Sequence, residues 1–211
     1  MRKSTIAALS LAICAGSALA QEPAAAAAAA LVEGTMFTVP HRSSIEGRVN
    51  ACGLEFGAIQ RDFSTKQGQP VRLSGSFYIR PFPGGGLGYS LKLGLYDGLP
   101  PKSVMTAPAN AFVKARHDGA APKGIRSDSD SPGYALFSGA AGNEIVAVIG
   151  SILSKREMMV GFNRRPGQQD VVATIDLTVT DMSIVGERVE RTRSNAPVDD
   201  FAACMGELLP K

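Results

Sequence analysis

The chain has 211 residues, 45% of them hydrophobic and 19% charged, with 23 glycines, no tryptophan and a formal charge of +3. This is enough apolar material for a domain with a real core, and the longest apolar run after the N-terminus, Ile145 to Leu153, is too short and too interrupted at Gly150 and Ser151 to span a bilayer. Arg2 and Lys3 supply most of the positive excess; without them the chain is close to neutral, so bulk charge gives no basis for binding nucleic acid.

The first elements are addresses. A short basic start, an apolar stretch from Ile6 to Ala15 and the small residues of Ser17-Ala-Leu-Ala20 predict a secretory signal peptide over residues 1–20, with cleavage after Ala20. Cys14 lies in that stretch, but Ile13 before it is too large for a lipoprotein cleavage box. The expectation is an exported protein, periplasmic or extracellular, without a transmembrane anchor. Residues 21–30 run from Gln-Glu-Pro into uniform alanine, which offers no face to bury and reads as a flexible lead-in. A single β-rich domain is expected over residues 31–211.

Within it, Met36 to Val39 reads as a short strand ended by Pro40. From Asn50 to Asp62 the even positions Cys52, Leu54, Phe56 and Ala58 are apolar, opposite Gly53, Glu55 and Gly57. Phe63 to Pro70 reads as a loop. Val71, Leu73, Gly75, Phe77 and Ile79 then alternate with polar residues up to Pro81-Phe-Pro-Gly-Gly-Gly86, and Leu87, Tyr89, Leu91, Leu93 and Leu95 alternate after it. Two long strands flank one turn, and strands of that length need a second layer to cover them. Residues 97–109 read as loop, Ala111 to Arg116 as a strand, His117 to Gly133 as a polar loop and Tyr134 to Phe137 as a short strand. Ile145, Val148, Ile149 and Ile152 recur at helical spacing from Glu144 to Ser154, with Asn143 as the expected cap.

A second hairpin is predicted over Glu157 to Val179. Met158 to Asn163 is one arm, Arg164-Arg-Pro-Gly-Gln-Gln169 the turn, and Asp170 to Val179, with Val171, Ala173, Ile175, Leu177 and Val179 on one face, the other. The chain then turns at Val185-Gly186 into the charged run Glu187 to Arg193, suited to a sheet edge. Pro197 opens a last helix whose stripe is Val198, Phe201, Met205 and Leu208. Cys204 sits beside that stripe. Paired with Cys52 in an exported protein, it predicts a disulfide between the start and the end of the domain. The fold class is therefore mainly β, an antiparallel β-sandwich or open barrel with one internal helix and one C-terminal helix.

No cofactor and no metal site are expected. Only His41 and His117 are present, neither spaced with Cys, Asp or Glu as ligands, and Cys-x-x-Cys, His-Glu-x-x-His and Gly-x-Ser-x-Gly do not occur. Aligned as a calcium loop on Asp128 and Asp130, the chain puts Pro132 and Gly139 where ligands are required. Gly84 to Gly86 lacks the Lys and the helix of a phosphate cradle. The candidate binding residues lie at the hairpin tips and beside them: Phe82 held between two prolines, Arg164 and Arg165 with a basic strip of Arg188, Arg191 and Arg193, and Tyr78.

Ser74-Gly-Ser-Phe-Tyr78 resembles the Ser-Gly-x-x-Tyr motif of the periplasmic lysozyme-inhibitor family, in which a small β-barrel inserts a loop into the lysozyme cleft. The resemblance covers five residues. That family's Tyr-x-x-x-Lys-Gly is out of register with Tyr89-Ser-Leu-Lys-Leu-Gly94, and the Ser-Gly here lies within an alternating strand. The leading expectation is a non-enzymatic exported binding or envelope-accessory protein that contacts an unknown protein or an anionic envelope polymer through its hairpin tips. The alternatives are a hydrolase of an envelope polymer using Glu55, Asp97 or Asp170 as acid and base, and, from the resemblance, an inhibitor of a lysozyme-like enzyme.

Overall fold

The computed structural model describes residues 32–82, 85–98, 103–116, 121–122, 124–186 and 188–209. The expected signal peptide and alanine lead-in lie outside these, as do His117 and Glu187. Among the described residues, twelve strands form three antiparallel sheets. They are β1 (Gly34–Ile45), β2 (Arg48–Asp62), β3 (Gln69–Pro81), β4 (Leu87–Asp97), β5 (Val104–Thr106), β6 (Asn110–Lys114), β7 (Ile125–Asp128), β8 (Tyr134–Ala140), β9 (Glu157–Asn163), β10 (Val171–Asp176), β11 (Val179–Val185) and β12 (Arg188–Arg193). The helices α1 (Asn143–Lys155) and α2 (Ala196–Leu208) join them. The large sheet runs β1-β2-β3-β4-β8-β7, with β5 also on β4; the small sheet runs β10-β9-β6; β11 and β12 form a ribbon.

The alternation in β2, β3 and β4 sorts one face of the large sheet into the core. Leu54, Phe77, Leu91 and Phe137 are cross-strand neighbours in one row, and Cys52, Ile79 and Tyr89 in another. All seven are buried. From the small sheet, Phe162, Val160 and Met158 of β9 and their partners Val171, Ala173 and Ile175 of β10 close the other side. Ile145, Val148 and Ile152 of α1 and Val198, Phe201 and Met205 of α2 complete the same core. The result is an antiparallel sandwich with one internal and one C-terminal helix. The disulfide between Cys52 and Cys204 pins α2 to β2 across 152 residues of chain.

The structure corrects several element boundaries. Pro40 does not end β1, because β1 is an edge strand, where a missing N–H costs little. The strand runs on to a tight turn at Glu46 and Gly47, both at positive φ (50° and 78°), the type I′ shape that suits a twisted hairpin. Asn143 is the first helical residue and Gly142 the N-cap, without a side-chain cap bond. The stretch from Asp170 to Val179 is not one strand. The Asp176 carboxylate accepts hydrogen bonds from the Thr178 backbone N–H at 3.0 Å and hydroxyl at 2.6 Å. This side-chain turn outcompetes the ladder and carries the chain from β10 out of the small sheet into β11. Short edge strands β5 and β7 occupy what read as loop.

At one end the layers are locked by charge. The Asp62 side chain is fully buried and accepts bonds from the backbone N–H and hydroxyl groups of Ser64 and Thr65 and from Arg164 Nε at 3.0 Å. Arg164 also grips Asp97 through two nitrogens, at 3.1 and 2.6 Å. One guanidinium thus ties the end of β2, the end of β4 and the β9–β10 turn together.

Candidate functional site

Opposite the core, the outward positions of β2, β3, β4 and β8 form three rows. Glu55, Ser76, Lys92 and Leu136 are successive cross-strand neighbours. On one side lies the row Gly53, Tyr78, Ser90, Ser138, and on the other Gly57, Ser74, Gly94, Tyr134. Ser74, Ser76, Ser90 and Gly94 at inner positions of these rows leave part of the face low. Glu55, Tyr78, Lys92, Tyr134 and Leu136 stand around it. The outcome is a groove of about 470 Å³ whose floor carries Ser74, Ser76 and Ser90 and whose walls carry Glu55 and Tyr78 on one side and Lys92, Ser131, Tyr134 and Leu136 on the other.

The walls are seated by glycines. A Cβ at Gly53 would lie 2.3 Å from the Tyr78 ring, and one at Gly94 would lie 3.0 Å from Tyr134. Each ring therefore lies across a glycine, with its hydroxyl engaged on the groove side. Tyr78 donates to Glu55 Oε1 at 3.4 Å and meets His41 edge to face at 5.1 Å. Tyr134 OH is 3.0 Å from Ser74 Oγ. Burial pushes the Tyr78 phenol up, a hydrogen bond with Ser76 pulls it part of the way back, and the Glu55 carboxylate adds to the rise. Lys92 Nζ donates to Ser131 Oγ at 2.7 Å, stands 3.9 Å from Asp130 and faces the Tyr134 ring at 4.9 Å. Ser76 and Ser90 are more than nine-tenths buried on the outward face of a sheet, where the fold itself makes no demand for a hydroxyl.

The candidate residues at the tips are placed differently. Arg164 is turned inward onto Asp62 and Asp97 and is 14% exposed, so its charge is spent within the fold. Arg165 is exposed and borders a second hollow of about 520 Å³ with Lys66 and Thr106. Within the basic strip, Arg191 and Arg193 are engaged inside the fold and Arg188 is exposed. Arg191 donates to the backbone carbonyls of Val32, Glu33 and Thr35, tying the ribbon to β1, and Arg193 pairs with Asp176. Phe82 folds back onto the sheet, where its ring would be 2.5 Å from a Cβ at Gly88. Tyr78 alone of the four binding candidates lines the groove.

Glu55 and Asp97 are not brought together as an acid and base. Asp97 is level with Val71 and Gln60, five residues along β2 from Glu55 or about 17 Å, well beyond the 6.5–9.5 Å of an inverting carboxylate pair. Asp170 accepts from Asn163 Nδ2 at 2.9 Å at the base of the other hairpin. Among the described residues no group of three or more His, Cys, Asp or Glu is placed to hold a metal ion, and no helix is long and apolar enough to cross a membrane. Ser90, Lys92, Ser131 and Tyr134 escaped the sequence reading. Lys92 and Ser131 are 39 residues apart, and only the register of β3, β4 and β8 unites them. The available signal was a run of small polar residues at outward positions of two adjacent long strands.

Comparison with protein families, with curated proteins and with solved structures finds no match for this chain.

Proposed function

We propose that this is an exported, non-enzymatic binding protein that receives its partner in the groove on the outer face of the large sheet. The observation that carries the reading is the sunken row of serines between two tyrosines, with an acceptor, Glu55, on one wall and a donor, Lys92, on the other. Polar side chains at 7% and 8% exposure on an outward sheet face form a surface already desolvated and shaped. That is the condition for binding a ligand at low cost in ordering. A disulfide between Cys52 and Cys204 is in keeping with the exported address.

Lys92 and Ser131 have the separation of a base and a nucleophile, yet the groove favours another role for them. Lys92 Nζ donates to Ser131 Oγ with the Tyr134 ring and Asp130 beside it, which suits it to donate to a ligand in the groove. The inhibitor reading gains from finding Ser74, Tyr78 and Lys92 around one hollow. It loses more from shape, because a recess in mid-strand receives and does not insert.

The test is capture from envelope extract by the oxidised mature protein, by a groove variant Glu55→Gln/Lys92→Met and by a tip variant Phe82→Ala/Arg165→Ala. A stoichiometric component held by the first and the last but lost by the groove variant is the expected result. Loss on altering the tips alone, or retention of nothing by the unaltered protein, overturns the proposal.

A further inference from the structure

Resting on that reading, we infer that the groove takes a short neutral saccharide. Most of the polar side chains that line it both donate and accept: the hydroxyls of Ser74, Ser76, Ser90, Ser131, Tyr78 and Tyr134. Each sugar hydroxyl has the same dual character, so donor and acceptor roles can be matched around a ring without leaving a buried group unpaired. The charged walls fit the same chemistry. The Glu55 carboxylate is acceptor-only and the Lys92 ammonium donor-only, and Ser76 stands between them in one cross-strand row. Neighbouring ring hydroxyls can give a proton to the first and a lone pair to the second. Leu136 supplies an apolar patch for the C–H side of a ring.

Charge argues against the other ligand classes. Glu55 and Lys92 balance, and Asp130 stands 3.9 Å behind Lys92, so a polyanion meets no net attraction here. An apolar ligand would cover these hydroxyls and offer none of them a hydrogen bond. The volume of about 470 Å³ lies within the range of roughly 300–1,000 Å³ typical of small-molecule sites.

The experiment follows backbone amides of the oxidised mature protein during titration with glucose, N-acetylglucosamine, cellobiose, maltose and chitobiose, beside glucuronic acid and the dipeptide Ala-Glu. At least one neutral sugar is expected to shift Ser74 to Tyr78 and Ser90 to Lys92 saturably. Ser90→Val should weaken that binding at least tenfold. Glu55→Gln, at an exposed side chain, should do the same should the serine variant fail to fold. Shifts at these amides with the acid or the dipeptide and with no neutral sugar overturn the saccharide while leaving the groove as a binding site. Silence with every probe overturns the saccharide as well, and the capture experiment then decides the groove independently.

Discussion

Arg164 shows how a surface-looking residue becomes structural. Its sequence context, a Pro-Gly turn, places it at a tip, but two carboxylates from distant strands draw it inward. Asp62 is fully buried, so removing Arg164 leaves a carboxylate that keeps its hydroxyl and backbone N–H donors but has lost its cationic partner. Arg164→Met is expected to cost about 3–5 kcal/mol in urea unfolding, against about 0.5 kcal/mol or less for the exposed Arg165→Ala. The same site sets an acid limit. Burial alone would raise the Asp62 carboxyl, but bonds from the Thr65 hydroxyl and backbone, then Arg164 and Ser64, outweigh it and hold the carboxyl below its ordinary 3.8. A carboxyl lowered on folding contributes fully above the unfolded value, and the contribution drains away as pH falls below 3.8 and through the folded value. Asp176, lowered by Thr178 and Arg193 against its own burial, adds in the same direction. Unfolding free energy should therefore fall steeply below about pH 4, and less steeply in Arg164→Met; equal slopes would contradict this.

Among the elements, the glycines opposite aromatics deserve to be tested as seats for groove walls. A Cβ at Gly53 would meet the Tyr78 ring at 2.3 Å and the Phe77 carbonyl oxygen at 2.7 Å, and the second of these is backbone and cannot swing away. Gly53→Ala should cost about 1–3 kcal/mol and weaken binding by displacing Tyr78, as unfolding and titration together would reveal. The turn at Glu46 offers the opposite sign. A non-glycine residue at φ 50° bears local strain that asparagine tolerates better, so Glu46→Asn should stabilise by a few tenths to about 1 kcal/mol in thermal unfolding. These elements also show what the sequence could convey. Alternation over β2, β3, β4 and β10 was legible because each has one face in the core and a period of two residues. Their ends were not. Pro40 breaks only a strand with neighbours on both sides, and Asp176 ends β10 through a hydrogen bond that apolar patterning does not register. β5 and β7 are three and four residues long and borrow their order from β4 and β8.

For the molecule as a whole, the Cys52–Cys204 link joins the beginning of the core to its last helix and closes a loop of 152 residues. On the chain-entropy account a loop of that length stabilises by about 5 kcal/mol. Reduction, or Cys204→Ser, is expected to lower the urea midpoint by the equivalent of about 2–5 kcal/mol; an unchanged midpoint would show that α2 needs no tether. The disulfide was legible because the expected signal peptide takes Cys14 with it and leaves two cysteines to pair. The groove was not, apart from Glu55, Ser74 and Tyr78, because it exists only where three strand registers coincide. Hairpin tips attract attention in a sequence through Pro, Gly and Arg, yet the fold uses Arg164 internally and lays Phe82 on Gly88. The most direct measurement is an amide shift map of the labelled, oxidised protein titrated with the low-molecular-mass fraction of an envelope extract. The account predicts saturable shifts centred on Ser74 to Tyr78 and Ser90 to Lys92. Shifts confined to the Phe82 and Arg165 turns, or none at all, would contradict it.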